Sequence, residues 1–102
     1  LVDDLTETAG TLTVGATLLH KKGANKVLAC VSHAILNDIG IKRLRKSDID
    51  ELITTDTVLR PTINGVKITT LSVAGLLGEA IKRINSNLSV TSLFEFQGGR
   101  TS

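Results

Sequence analysis

Residues 1–11 of the chain read LVDDLTETAGT, and this stretch decides which fold is expected for the rest of the sequence. Two apolar residues lead into adjacent carboxylates, a hydroxyl-rich segment follows, and a small-Gly-Thr turn opens an amphipathic run. That order is typical of a strand end, a loop and a helix start. Backbone N–H groups at a helix N-terminus are unpaired and lie at the positive end of the helix dipole, so they form an anion site. The stretch therefore predicts a phosphate-binding loop.

The side chains of this loop suit a ligand that carries both a phosphate and a diol. Ala9 and Gly10 have little or no side chain, which allows a phosphate to approach the backbone closely. The threonines on either side of them offer hydroxyl donors. Asp3 and Asp4, when ionised, can accept hydrogen bonds from sugar hydroxyls or hold a hydrated Mg²⁺. We therefore expect a phosphorylated ribose as ligand; the simpler alternative is that the two carboxylates only cap a strand end.

Length and composition limit the class of protein. A chain of 102 residues is one domain at most, and an apolar fraction of 41% is ordinary for a globular protein. The net charge of +2 is too small to indicate a nucleic acid or a membrane surface as partner. Cys30 is the one cysteine, which excludes an internal disulfide and indicates a reducing compartment. Because we see neither a signal peptide nor a long apolar run, we expect a cytoplasmic protein.

Strand and helix patterns alternate along the chain, and the alternation predicts an α/β fold with a parallel sheet covered on both faces by helices. The predicted strands cover 1–4, 26–31, 50–55, 68–71 and, as an edge strand, 89–94. The first helix follows the loop and ends at a Gly23 C-cap. The second covers 39–46 behind an Asn37 or Asp38 cap, and the third is a core helix over 73–84 behind a Ser72 cap. Residues 57–67 are predicted as a loop or short hairpin.

The placement of the loop in this sheet has consequences for function. Ligands of open α/β sheets bind beyond the carboxyl ends of the strands, where the loop lies. Ser32-His33 and Asp56 end two other predicted strands, so we expect them at the same edge. The first strand is shorter than the typical length of about five or six residues. We therefore expect the chain to be the C-terminal part of a longer protein.

The loop also resembles a known motif. Val2-Asp3-Asp4 followed by Thr8-Ala9-Gly10-Thr11 is similar to the phosphoribosyl pyrophosphate (PRPP) loop of type I phosphoribosyltransferases and PRPP synthetases. The acidic Glu7 before Thr8 favours the synthetases, which usually have Asp there. Further stretches resemble the synthetase pattern in the same order, and they cover 23–27, 29–34, 54–58, 71–74, 79–84 and 89–94. The ordered series points to ribose-phosphate diphosphokinase, the PRPP synthetase family.

The resemblance implies a particular fold and function. The fold would be type I phosphoribosyltransferase-like, a Rossmann-like three-layer sheet truncated at its N-terminus, with a partial domain over 1–96 and a flexible tail over 97–102. The family transfers the pyrophosphoryl group of ATP to ribose 5-phosphate, and its catalytic Lys and Arg lie upstream of the loop. The resemblance therefore implies an enzyme of nucleotide biosynthesis whose catalytic residues are outside this segment, so that the segment alone is inactive.

The resemblance also implies roles for individual residues. Asp3 and Asp4 would hold the ribose hydroxyls, with Mg²⁺ nearby as cofactor. The 5-phosphate would be held by the loop residues Glu7, Thr8, Ala9, Gly10 and Thr11. Ser89 and Thr91 resemble positions near the phosphate/ADP regulatory site that hexameric members form between subunits. The expected partners are ribose 5-phosphate, ATP and other PRPP synthetase subunits, in a homo- or hetero-oligomer.

Three other functions stay open on the sequence. The first is a phosphoribosyltransferase that consumes PRPP, and the second is a non-catalytic, synthetase-associated regulatory subunit. The third is a receiver-type signalling domain, in which Asp56 would imitate the phosphorylated aspartate. No later strand ends in the lysine that a receiver domain needs, which argues against the third.

Overall fold

Four parallel strands form one sheet in which the strands lie side by side in the order of the sequence, and helices join the first three. The structure is a computed structural model, and it describes residues 1–59 and 63–95. The elements of the first unit, Leu1–Ser72, are β1 Val2–Thr6, α1 Gly10–Lys21, β2 Leu28–Ala34, α2 Asp38–Arg45, β3 Glu51–Thr55 and β4 Ile68–Leu71. A second unit begins at Val73 and contains α3 Ala74–Asn85 and a 3₁₀ helix over Thr91–Phe94.

The core of the first unit lies between the sheet and the helices α1 and α2. Leu12 from α1, Leu44 from α2 and Leu52 from β3 are buried together with small residues of β2. Consecutive right-handed crossovers in one direction along a sheet place their helices on the same face, which brings α1 and α2 side by side. Helix α2 begins where the Asn37 side chain accepts a hydrogen bond from the Gly40 N–H at 2.8 Å. This packing holds both helices against the carboxyl end of β1.

Strand β1 is longer than the sequence predicted. It runs to Thr6, because the parallel ladder with β2 continues through the pairs Leu5–His33 and Thr6–Ala34. Asp3 and Asp4 therefore lie inside the strand, and the prediction that the strand ends at Asp4 is wrong. Neighbouring residues of a strand point to opposite faces, so the two carboxylates are not equivalent.

The second unit differs more from the prediction. Val73 is the N-cap residue of α3, where Ser72 was expected. The predicted edge strand over 89–94 is wrong: the N–H of Thr91 donates to the Ser89 side chain at 3.1 Å, a local bond that favours a turn, and a 3₁₀ helix follows. Helix α3 contains no buried residue, so the prediction of a core helix is wrong as well. The predicted flexible tail over 97–102 lies outside the described residues.

Candidate functional site

A pocket of about 170 Å³ opens at the carboxyl end of β1 and the N-terminus of α1. The residues that line it are Asp3, Leu5, Thr6, Glu7, Thr8, Ala9, Gly10, Thr11 and Leu12. All of the phosphate-loop residues predicted from the sequence, Glu7 to Thr11, are therefore part of one cavity wall. We call residues 6–12 the cradle.

The cradle turns into α1 through a left-handed residue. Ala9 has φ 58° and ψ 17°, and its side chain is buried against the core. Few L-residues adopt this conformation readily, and a small side chain keeps the steric cost low. A left-handed residue next to a helix start directs successive N–H groups toward the same point, which is the geometry of an anion-binding nest.

The consecutive carbonyls of the cradle are all used inside the protein. The Thr6 carbonyl accepts from the N–H of Ile35 at 2.9 Å, and the Glu7 carbonyl accepts from the N–H of Asn37 at 3.1 Å. The Thr8 carbonyl accepts from Arg43 Nη1 at 3.2 Å. The segment from β2 to α2 thus holds the back of the cradle.

The N–H groups of the cradle, unlike its carbonyls, are available to bind a ligand. Within the described residues, no N–H from Glu7 to Leu12 donates to a protein acceptor. A trans peptide holds its C=O and the following N–H in opposite directions, and the described chain contains no cis peptide. Fixing the carbonyl of Thr6, for example, directs the N–H of Glu7 away from β2. The cradle therefore presents donors to the pocket, which suits an anion.

The two predicted carboxylates are placed differently relative to the cradle. Asp3 lines the pocket, whereas Asp4 is not among the lining residues. One oxygen of Asp3 accepts the N–H of Asp4 at 2.8 Å, which leaves the rest of the carboxylate available. Asp3 is thus the carboxylate that the fold brings into the pocket together with the loop.

Magnesium fits this pocket only as an ion shared with a ligand. Within 1–59 and 63–95, no three His, Cys, Asp or Glu side chains are grouped closely enough to hold a metal ion. Mg²⁺ usually keeps several waters and is bound by one or two carboxylates together with substrate phosphates. The carboxylate of Asp3 beside an anion cradle is a donor set of that kind.

A second polar cluster lies at the same edge of the sheet, at the ends of β2 and β3. His33 Nδ1 lies 2.6 Å from Thr57 Oγ1, and the Thr55 hydroxyl donates to the Ser32 carbonyl at 2.6 Å. The prediction that Ser32-His33 end their strand is wrong, because β2 continues to Ala34, but the parallel ladder places His33 beside Leu5 near the carboxyl end of β1. These hydrogen bonds tie the carboxyl ends of β2 and β3 to the turn that follows β3.

The predicted regulatory residues lie in the second unit. The Ser89 hydroxyl donates to Thr91 Oγ1 at 3.1 Å, so the two side chains are in contact. Arg83 donates to the Ser89 carbonyl and to the Ser92 side chain. The contact shows that the two residues share one turn; their regulatory role stays a prediction.

Sequence reasoning missed Arg43. Arg43 is an exposed residue of α2. Its guanidinium nevertheless lies against the cradle, 3.0 Å from the position that a Cβ at Gly10 would occupy. The glycine thus gives room to Arg43 as well as to a ligand. No local sequence signal indicates this contact, because it joins residues thirty-five positions apart.

The fold and the pocket together define a class of protein: a parallel α/β domain with a pocket at the loop between its first strand and first helix. Comparison with known proteins makes the assignment narrower. The family model described as the phosphoribosyl synthetase-associated domain matches residues 1–95. The chain belongs to this phosphoribosyl synthetase family.

Named relatives agree with the family. The chain is 46% identical over 96 residues to ribose-phosphate pyrophosphokinase 1 of Listeria monocytogenes, covering 93% of this chain and 30% of the relative. It is 48% identical over 96 residues to the ribose-phosphate pyrophosphokinase of Synechococcus elongatus, covering 92% of this chain and 29% of the relative. The chain thus spans less than a third of the length of these relatives.

A solved structure supports the fold. The crystal structure of phosphoribosylpyrophosphate synthetase from Mycobacterium smegmatis matches with a TM-score of 0.76 and 34% sequence identity, covering 85% of this chain and 30% of that chain. The coarse prediction of an α/β fold similar to a PRPP synthetase is confirmed. The described part of the chain contains no helix that is long and apolar enough to cross a membrane.

Proposed function

We propose that this chain is the ribose-5-phosphate-binding, C-terminal segment of a ribose-phosphate diphosphokinase, which transfers the pyrophosphoryl group of ATP to ribose 5-phosphate. One observation carries the proposal. The N–H groups from Glu7 to Leu12 have no acceptor within the described residues, and these residues line the same pocket as Asp3. Donors for a phosphate beside an acceptor for hydroxyls match a phosphorylated sugar.

In this proposal the loop and the carboxylates bind different parts of the ligand. The 5-phosphate is held by the backbone of Glu7–Thr11 and the threonine hydroxyls, and the ribose hydroxyls are held by Asp3. Asp4, which lies next to Asp3 on β1, would act through Mg²⁺. Mg²⁺ would supply charge neutralisation on the phosphates of ATP, which phosphoryl transfer requires.

The parent protein would be a larger, cytoplasmic, oligomeric enzyme with a type I phosphoribosyltransferase-like fold. The relatives are more than three times as long as their match to this chain, which leaves room for an ATP site and catalytic cations elsewhere. The segment alone would then bind ribose 5-phosphate without turning it over. The names of the relatives favour a pyrophosphokinase over a phosphoribosyltransferase that consumes PRPP or a non-catalytic regulatory subunit.

Calorimetric titration of two single variants tests the proposal. Asp3→Ala should weaken ribose 5-phosphate binding roughly tenfold while leaving inorganic phosphate binding nearly unchanged, because a hydrogen bond to a charged group is worth about 1.5–3 kcal/mol. Asp4→Ala is the matched control, because Asp4 is the neighbouring residue and does not line the pocket. It should lower the affinity for ribose 5-phosphate less than Asp3→Ala does. Equal losses for both ligands on Asp3→Ala would contradict the assignment of this carboxylate to the sugar.

A further inference from the structure

Arg43 on α2 is the one side chain, among the described residues, that donates to a carbonyl of the cradle from another element. Its Nη1 lies 3.2 Å from the Thr8 carbonyl oxygen and close to the backbone of Gly10. The Thr8 carbonyl and the Ala9 N–H belong to one peptide group and point in opposite directions. Fixing the carbonyl from the α2 side therefore fixes the direction in which the Ala9 N–H donates.

The base of Arg43 is held firmly by the packing of α2. Leu44, the next residue, is buried in the core, and the first turn of α2 begins at the Asn37 cap. At Gly40 the helix approaches the Glu7 carbonyl so closely that a Cβ would overlap with it. The guanidinium is thus carried by a helix whose own position relative to the cradle is fixed at two other points.

The charge of Arg43 is not neutralised locally. Within the described residues, the ion pairs are Glu51 with Lys67 and Glu79 with Arg83, so no carboxylate pairs with Arg43. The guanidinium group of arginine carries a delocalised positive charge. The hydrogen bond to Thr8 therefore polarises the peptide and places a permanent positive charge behind the cradle.

We propose that Arg43 is a positioning residue of the cradle: it orients the Thr8–Ala9 peptide so that the Ala9 N–H meets the phosphate of the ligand, and its charge raises the affinity for that phosphate. The inference rests on the proposed binding of ribose 5-phosphate and adds the group that sets its phosphate affinity. Arg43 does not line the pocket, so it acts through the backbone and not by contact with the ligand.

The test compares Arg43→Met with Lys42→Met in the full chain. Both substitutions remove one positive charge from an exposed position on α2, but among the described residues only Arg43 of the two donates a hydrogen bond to the cradle. Binding of ribose 5-phosphate and of inorganic phosphate is measured by calorimetry, and the ¹⁵N and ¹³C′ shifts of the Thr8–Ala9 peptide are measured without ligand. Arg43→Lys, which keeps the charge without the guanidinium geometry, is the second variant.

We expect Arg43→Met to weaken the binding of both ligands by roughly tenfold, because the Ala9 N–H would lose its hydrogen bond to the charged phosphate. The resonances of the Thr8–Ala9 peptide should shift as well. Lys42→Met should change affinity less than twofold, and Arg43→Lys should recover part of the loss. If Arg43→Met binds both ligands with wild-type affinity, the role of Arg43 is overturned, but the proposed function is not. The same holds if its Thr8–Ala9 peptide shifts are no larger than those of Lys42→Met. A wild-type chain that binds neither ligand would overturn the proposed function, and the role of Arg43 with it.

Discussion

At the scale of the residue, Gly40 sets how closely α2 can approach the cradle. A Cβ at this position would overlap with the carbonyl oxygen of Glu7 and crowd the Leu36 side chain. The backbone cannot move away freely, because the same carbonyl accepts the N–H of Asn37. Because Gly40 has no side chain, α2 can lie close enough to the Glu7 carbonyl to pack against the back of the cradle.

We expect Gly40→Ala to lower the free energy of unfolding by about 1–3 kcal/mol, the usual cost of overpacking. The matched control is Gly15→Ala in α1, where a Cβ would meet only the Leu1 side chain. In that variant the better helix propensity of alanine should leave stability unchanged or raise it by up to about 1 kcal/mol. Urea denaturation measures both. A Gly40→Ala protein as stable as the Gly15→Ala protein would contradict the close approach of α2.

Thr54 and Thr55 give a second contrast between neighbouring residues. Thr54 is 2% exposed, and its hydroxyl has no hydrogen-bond partner within the described residues, whereas the Thr55 hydroxyl donates to the Ser32 carbonyl. Thr54→Val should therefore stabilise the protein by about 1 kcal/mol, because it removes an unpaired buried polar group. Thr55→Val should destabilise it by about 1 kcal/mol. Thermal unfolding of the two variants should shift in opposite directions; shifts of the same sign would contradict the placement of the two hydroxyls.

At the scale of the element, the pairing of β3 with β4 carries a titratable contact. Thr69 on β4 donates to the Glu51 carboxylate on β3, and Lys67 Nζ lies 3.6 Å from the same carboxylate. The hydrogen bond from Thr69 is the main cause that lowers the pKa of Glu51 below its usual 4.5, with the charge of Lys67 contributing less. A carboxylate whose pKa is lowered by folding stabilises the fold above its unfolded pKa and loses that contribution as the pH falls through its folded pKa.

The stability of Glu51→Gln should therefore differ most from wild type at neutral pH, and the difference should shrink as the pH falls below 4.5. Unfolding midpoints measured across this range test the sign. Thr69→Val should raise the pKa of Glu51 more than Lys67→Met, and NMR titration of the Glu51 carboxyl measures both. A larger effect from Lys67→Met would mean that charge, and not the hydrogen bond, dominates.

The elements also show which parts of the fold the sequence predicts. The helix after the cradle and strand β4 are predicted correctly, and the N-cap of α2 is Asn37, one of the two predicted candidates, because apolar periodicity and capping chemistry are local signals. The extension of β1 to Thr6 depends on its ladder with β2, and the contact of Arg43 with Thr8 depends on the packing of α2. Neither is encoded in the neighbouring residues, so sequence patterns alone could not predict them.

Local sequence signals led to two wrong predictions in the second unit. The β-branched run near Val90 favours a strand, but the side chain of Ser89 bonds to the N–H of Thr91 and turns the chain. The stripe of α3 that follows helical spacing was interpreted as core, yet Leu77, Ile81 and Ile84 are all more than half exposed. Periodicity identifies the face of a helix that is apolar; it does not identify what covers that face.

At the scale of the whole molecule, the hydrogen bonds described for the carbonyls of Thr6, Glu7 and Thr8 all come from the first unit. The partners of these carbonyls, Ile35, Asn37 and Arg43, belong to Leu1–Ser72, as does the carboxylate of Asp3. A chain ending at Ser72 should therefore keep the chemical shifts of the cradle amides and their response to phosphate. Comparison of its ¹H–¹⁵N spectrum with that of the full chain tests this. Loss of the cradle resonances in a shortened chain that is otherwise folded would contradict it.

The central claim is that the free amides of the cradle bind the phosphate of ribose 5-phosphate, and an NMR titration tests it most directly. The ¹⁵N-labelled chain is titrated with ribose 5-phosphate, with and without Mg²⁺, and with ribose as the control that lacks the phosphate. We predict saturable shifts that are largest for the N–H groups from Glu7 to Leu12, with no response to ribose alone. A well-dispersed spectrum that does not change would contradict the claim. So would shifts that do not saturate and that spread over the basic residues Lys42, Arg43 and Arg45 of α2.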